Sequence, residues 1–258
     1  MTKYAVMIED PKQIRYALEK GWHLATTGRP GPVWIDIPVN YQGGYIETEE
    51  LEGYDPAEDD AQLPPKETVR TIIEKIRAAK RPVIYAGGGI RLSGGFEEFR
   101  KAIEILNVPV VTYWNSVDLI EDDHPLYVGR GGNMGDRAGN FAVQNSDLLL
   151  AIGTRISIRQ TGYSFQTWAR EAEVIMVDID RAEMKKHTIH VDMPVWADAR
   201  DFLHTLNGCL TGEGKVFPGE DWIAICQNWK AKYPVTLPRH WAADDGYVNV
   251  FAFIRHMS

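Results

Sequence analysis

The sequence is short of most features that mark a reaction centre. Its 258 residues include only two cysteines, Cys209 and Cys226. They lack CxxC spacing, so a disulfide framework or zinc–thiolate site has little support and free buried thiols are expected. His187 and His190 stand near each other without a Cys or carboxylate cluster in metal spacing, and no metal site is expected. The chain has no GxSxG elbow, no P-loop and no HExxH pair. A GxGxxG fingerprint with an acidic residue about 20 positions on is also missing, which disfavours ordinary NAD binding. Every glutamate sits in a polar, exposed-looking context, so no buried general base is legible. No apolar run approaches the ~18 residues of a membrane span, and MTKYAVMIED is not built like a signal peptide. A cytoplasmic protein without a membrane partner is expected. Lys and Arg total 28 against 36 Asp and Glu, a net charge of −8, so no basic stripe is available for nucleic acid. Internal repeats and low-complexity tracts are absent.

What is present alternates helix and strand. Asp10-Pro11 opens a helix with Ile14, Ala17, Leu18, Trp22 and Ala25 on one face, and GPVWIDIPV at Gly31 to Val39 reads as a buried strand. One such pair cannot close a core by itself. ETEELEGYDPAEDD, at 47–60, is acidic and almost free of apolar residues, and reads as a surface linker. Helices then follow over Val69–Ile76, Phe96–Leu106, Arg137–Asn145 and Ala199–Leu210. Strands are expected at Pro82–Ala86, Val108–Thr112, Leu148–Ile152, Val174–Val177 and Ile189–Val195. That alternation predicts an α/β, doubly wound sheet whose loops after strands share one edge. A last helical segment carries Trp222, Ile225 and Trp229 on one face.

The shared edge gathers the candidate binding residues. Gly87, Gly88 and Gly89 follow a strand directly, so the backbone can approach a ligand, although a tight turn needs glycine for steric reasons alone. Arg155 and Arg159, four apart after the Leu148–Ile152 strand, suit a phosphate if both face one crevice; surface ion pairs are the alternative. Asp178 ends an apolar strand, where a carboxylate can accept from ribose hydroxyls or cap a helix across Arg181–Lys185. Asp198 stands at a helix N-cap. No catalytic residue is identified.

GRPGPVWIDIPVNYQ, RPVIYAGGGI, DDHPLYVGRGGNMGDRAGNFAVQNSDLLLAIGTRISIRQTG and VIMVDIDRAEMKKHTIHVDMPVWADA, in that order, resemble the thiamine-diphosphate enzymes of the acetolactate synthase type. The resemblance covers nearly the whole chain. It implies a Rossmann-like, mainly parallel six-stranded sheet with helices on both faces. It also implies a C-terminal remnant of a pyrimidine-binding domain over 1–45, a linker over 46–66, a central FAD- or nucleotide-binding-like domain over 67–212, and a linker into a diphosphate-binding domain over 213–258. Gly87, Gly88, Gly89, Gly132, Met134, Gly135, Arg155, Arg159, Asp178 and Asp198 match the family's FAD positions. Ile156, Ser157 and Ile158 depart from the aromatic and acidic residues often found between those arginines, and Tyr113-Trp114-Asn115 replaces residues that are commonly small.

The family's activity is thiamine-diphosphate- and Mg²⁺-dependent decarboxylation and carboligation of pyruvate-type 2-oxo acids, carried out by homodimers or homotetramers. Its catalytic glutamate lies upstream of Tyr4 and its magnesium motif downstream of Ser258, so this stretch alone is expected to be inactive. The residues leave a second reading open, a stand-alone, non-catalytic FAD- or nucleotide-binding or interaction module.

Overall fold

The computed structural model describes residues 2–242 and 246–257. The chain opens with strand β1 (Tyr4–Met7), helix α1 (Ile14–Thr26), strand β2 (Val33–Asp36) and the single turn α2 (Val39–Gln42). β1 and β2 pair in parallel as a two-stranded sheet. α1 covers one face of it closely enough that a Cβ on Gly21 would lie 2.8 Å from Ile35 Cδ1. The other face is open, with Met7 and Trp34 exposed.

The acidic segment that follows is strapped along α1. Tyr16 Oη donates to Glu58 at 2.6 Å, Lys20 pairs with Asp59 at 2.8 Å, and the His23 ring meets Asp60 at 2.8 Å. Its carboxylates therefore face cations and a phenol of the preceding helix, which explains why so charged a stretch follows a defined path.

The main unit is built from α3 (Lys66–Ala78), β3 (Pro82–Ala86), α4 (Gly89–Leu92), α5 (Phe96–Leu106), β4 (Val110–Thr112), β5 (Tyr127–Arg130), α6 (Arg137–Asn145), β6 (Leu148–Ile152), α7 (Ile158–Thr161), β7 (Glu173–Asp178), β8 (Met193–Trp196), α8 (Ala199–Cys209) and α9 (Glu220–Lys232). A short α10 (Val250–Met257) follows. Six parallel strands lie in the order β5-β4-β3-β6-β7-β8. PVIYA and LLLAI are buried at every residue, as continuous apolar runs covered on both faces should be. Val69, Ile72, Ile73 and Ile76 on α3, Phe99, Ala102, Ile103 and Leu106 on α5, and Phe202, Leu203 and Leu206 on α8 supply buried faces at helical spacing.

The order of the strands creates a switch point. From β3 the chain steps outward to β4 and β5, then jumps back across β4 and β3 to β6 and continues the other way. With right-handed crossovers, α5 and α6 fall on opposite faces. The connections that follow β3 and β6 run to opposite sides there, leaving a crevice at the carboxyl edge of the sheet.

The expected strands Pro82–Ala86 and Leu148–Ile152 and the helix Phe96–Leu106 form with those bounds. Two strands escaped sequence reading. β1 is only four residues long, and β5 carries Gly129 at φ +140°, so neither shows a strong β signature. Arg181–Lys185 is not a helix, since only a 3₁₀ turn at Glu183–Lys185 forms. The face expected on the last helix is also rotated. Trp222 and Cys226 are buried on α9, whereas Ile225 is 45% exposed. Burial pushes the Cys226 thiol up to about 12. Trp222 Nε1 donates to the Pro82 carbonyl at 3.0 Å, so α9 seals the start of the central strand. Trp222→Ala is expected to cost about 3–5 kcal/mol in urea unfolding, while Ile225→Ala should stay within about 0.5 kcal/mol.

Candidate nucleotide site at the switch point

The turns after β3 and β6 touch through backbone. Gly87 N donates to Ile152 O at 3.0 Å and Gly89 N to Gly153 O at 2.9 Å. A Cβ on Gly87 would lie 2.3 Å from the Gly153 oxygen, and one on Gly89 would lie 2.7 Å from Gly153 Cα. These two glycines therefore serve the approach of the two turns. Gly88 differs, because its Cβ would meet only Asn115, at 3.4 Å and beyond, and it lines a cavity of about 440 Å³. That volume lies within the usual range for small-ligand pockets.

The cavity is walled by the β3 turn, Tyr113 and Asn115 after β4, Thr154 and Arg155 after β6, Asp178 and Ile179 after β7, and Asp198 before α8. Gly28, Arg29 and Pro30, the break between α1 and β2, close one side. Among the described residues, the backbone N–H groups of Gly88, Thr154 and Arg155 have no acceptor within the chain, so a ligand's oxygens could take them.

Arg155 and Arg159 do not converge. Arg155 lines the cavity, whereas Arg159 lies over the Trp114 ring at 5.6 Å, outside the cavity lining. The cause is local. Ser157 and Gln160 form a capping box that starts α7, and the preceding Ile156 sits at φ +46°. Arg155 thus precedes the helical turn, and a spacing of four does not place it on one helical face with Arg159. A β-branched residue in that region is strained, and here it is fully buried. Gln160 braces the turn by donating to Thr154 Oγ1 at 2.8 Å.

The glycine-rich turn stands to one side. A Cβ on Gly132 would lie 2.6 Å from the Arg159 carbonyl, and one on Gly135 would lie 2.4 Å from the Arg130 carbonyl. Met134 is 63% exposed. Gly132, Met134, Gly135, Gly87 and Arg159 are therefore not among the residues that line the cavity, while Gly88, Gly89, Arg155, Asp178 and Asp198 line it.

Asp178 is buried, and its Oδ1 accepts from Asp180 N at 2.9 Å. Burial, with the nearby charges of Glu183 and Asp180, holds its carboxyl above the usual range. Asp198 Oδ1 caps α8 through Arg200 N at 2.8 Å, and burial pushes its carboxyl up as well. A cap and a cavity wall coincide there.

Sequence reading missed Arg29, Gln160 and Glu183, whereas Asn115 and Thr154 lie in the loops expected at the shared edge, Tyr113 to Ser116 and Gly153 to Arg159. GRPGP registered as a helix break, not as a cavity wall. Glu183 contradicts the expectation that every glutamate is exposed. It is buried, and the polar run RAEMKK around it gives no local sign of this.

A six-stranded parallel sheet with helices around it and a crevice at its switch point is a Rossmann-like α/β domain. A family model described as thiamine pyrophosphate enzyme, central domain, matches residues 69–206, and the chain belongs to that family. It is similar to a probable acetolactate synthase large subunit of Methanocaldococcus jannaschii, 38% identical over 81% of this chain and 36% of the relative. The acetolactate synthase large subunit of Corynebacterium glutamicum is 34% identical over 91% of this chain and 37% of the relative. Acetolactate synthase isozyme 1 large subunit of Escherichia coli is 30% identical over 93% and 41%. The chain is thus of the acetolactate synthase type and spans about two-fifths or less of the length of these relatives.

Two outcomes follow from this geometry. Gly87→Ala is expected to destabilise the fold by at least about 3 kcal/mol through overpacking, while Gly88→Ala should unfold with a near-parental midpoint in the same denaturant titration. Asp178→Asn should stabilise the unliganded protein at neutral pH. Between the unfolded and the raised folded pKa, the folded state keeps a proton that the unfolded chain has lost. The ionised form therefore costs stability above the folded pKa, and the gain from the amide should shrink as pH falls through that value towards the ordinary carboxylate range. Unfolding midpoints measured across pH check the sign.

Proposed function

We propose that this chain is the central part of a thiamine-diphosphate-dependent enzyme that decarboxylates a pyruvate-type 2-oxo acid and forms a carbon–carbon bond, a reading supported by its similarity to acetolactate synthase large subunits. When bound, thiamine diphosphate supplies the carbanion chemistry of such reactions. The described residues do not fit that cofactor's metal-linked diphosphate. No group of three or more His, Cys, Asp or Glu side chains is placed to hold a metal ion among them. The reaction is therefore assigned to domains flanking this one, and the chain alone is proposed to be inactive.

The switch-point cavity fits a different group, an adenine nucleotide such as that of FAD. Arg155 and the open N–H groups of Gly88 and Thr154 would take the diphosphate, and Asp178, whose Oδ2 makes no hydrogen bond among the described residues, would accept from a ribose hydroxyl. The carrying observation is that these donors and this acceptor meet in one cavity where the strand order reverses. Its role is to bind and hold, since both carboxylates in its wall already serve as turn and cap acceptors. Homodimeric or homotetrameric assembly is part of the proposal. The open face with Met7 and Trp34, and the apolar residues Phe251, Phe253 and Ile254 of α10, supply surface for further domains or subunits. No helix among the described residues is long and apolar enough to cross a membrane.

Equilibrium titration with FAD and with ADP provides the test. Saturable binding of either is expected, and Arg155→Ala should weaken ADP roughly tenfold to a hundredfold through lost charge-assisted hydrogen bonds. A purified protein that binds neither nucleotide sinks the cavity assignment. For the reaction, a polypeptide carrying the flanking domains should release CO₂ from pyruvate only when thiamine diphosphate is added.

A further inference from the structure

We infer that Glu183 is a positioning residue that aims the Arg155 guanidinium at the anionic part of the ligand, an inference that rests on the nucleotide reading of the cavity. Three cations from separate segments meet this one buried carboxylate. Arg155 Nε donates to Oε1, Lys186 Nζ donates to Oε2 at 2.8 Å, and Arg29 Nη1 approaches Oε1 at 3.9 Å. Burial alone would push the Glu183 carboxyl up, but the hydrogen bond from Lys186 and the charges of Lys186 and Arg155 hold it below the usual range.

The contact on Arg155 is made by Nε, so the terminal nitrogens remain. Nη1 and Nη2 have no hydrogen-bond acceptor among the described residues, and Arg155 lines the cavity. A guanidinium held by its inner N–H presents its outer pair as a fork suited to phosphate. Lys186 Nζ also donates to the Arg155 carbonyl. One carboxylate and its lysine thus fix both side chain and backbone of Arg155, immediately before the left-handed Ile156. Three cations thus surround the Glu183 carboxylate, with Asp178 and Asp180 close by.

The rival role for Glu183 is competition, in which it occupies Arg155 and must be displaced by phosphate. The two roles predict opposite signs. If Glu183 positions Arg155, Glu183→Gln weakens ADP binding roughly tenfold, leaves adenosine binding within about twofold, and adds little to Arg155→Ala. Glu183→Asp should recover part of the loss. Tighter ADP binding by Glu183→Gln, or an equal loss for adenosine, overturns the inference.

A ligand-free measurement separates this from failure of the nucleotide reading. In side-chain NMR of the whole chain, the Arg155 Nε–Hε signal should exchange slowly in the parent and rapidly in Glu183→Gln. An unchanged signal overturns the positioning even where ADP binds. Parent protein that binds neither ADP nor FAD overturns the nucleotide reading, and with it the ligand part of the inference, while the NMR result still decides whether Glu183 holds Arg155.

Discussion

Where β3 and β6 lie side by side, the turns that follow them meet with no side chain between. Gly87 and Gly89 reach the backbone of Ile152 and Gly153 through hydrogen bonds of 3.0 and 2.9 Å, at separations that a Cβ would prevent. The cavity depends on that contact. Because the two turns are pinned together beneath it, Gly88 and Thr154 are raised to its floor and Arg155 is carried to its wall. The reversal of strand order requires the chain to leave β3 and β6 in opposite directions, and the backbone contact closes the gap this leaves at the base. The crevice above it persists because neither connection crosses it.

Much of the frame was legible in the sequence because periodicity and burial agree there. Five consecutive apolar residues in PVIYA or LLLAI make a buried parallel strand in almost any context, and Phe99, Ala102, Ile103 and Leu106 declare their face of α5. β5 was not legible, since YVGR contains a glycine in a conformation that L side chains rarely adopt and is held by its neighbours β4 and α6. The site divides in the same way. Residues at the ends of strong strands, such as Gly88, Arg155 and Asp178, could be found by following the strands to their edge. Arg29 and Glu183 could not, because Arg29 comes from the α1–β2 connection and Glu183 meets Arg155 only through tertiary packing. Arg159 shows the converse error. A spacing of four implies a shared face only inside a helix, and Ile156 interrupts the backbone between the two arginines.

The cavity wall carries charges of both signs, with Arg29 and Arg155 beside Asp178 and Asp198. Asp178 and Asp198 supply acceptors that burial makes costly to ionise, while Arg29, Arg155 and Lys186 supply cations around Glu183. A uniformly apolar ligand would leave those buried polar groups unpaired. The raised carboxyl of Asp178 is then a stability cost kept at a binding position, as perturbed groups in clefts commonly are.

The wall formed by Gly28, Arg29 and Pro30 links this site to the rest of the molecule. Those residues belong to the connection between α1 and β2, outside the main sheet, and Gly28 stands against Ile179, where a Cβ would come within 3.1 Å. A ligand in the cavity would touch both units at once and would add contacts to a junction otherwise made by few groups, among them the 3.9 Å approach of Arg29 to Glu183. Ligand binding must therefore favour the docked arrangement over any in which the β1–β2 unit has moved away, by the difference in affinity between the two arrangements. Occupancy of the cavity is thereby tied to the arrangement of the two units, and both carboxylates in its wall already accept from turn and cap N–H groups.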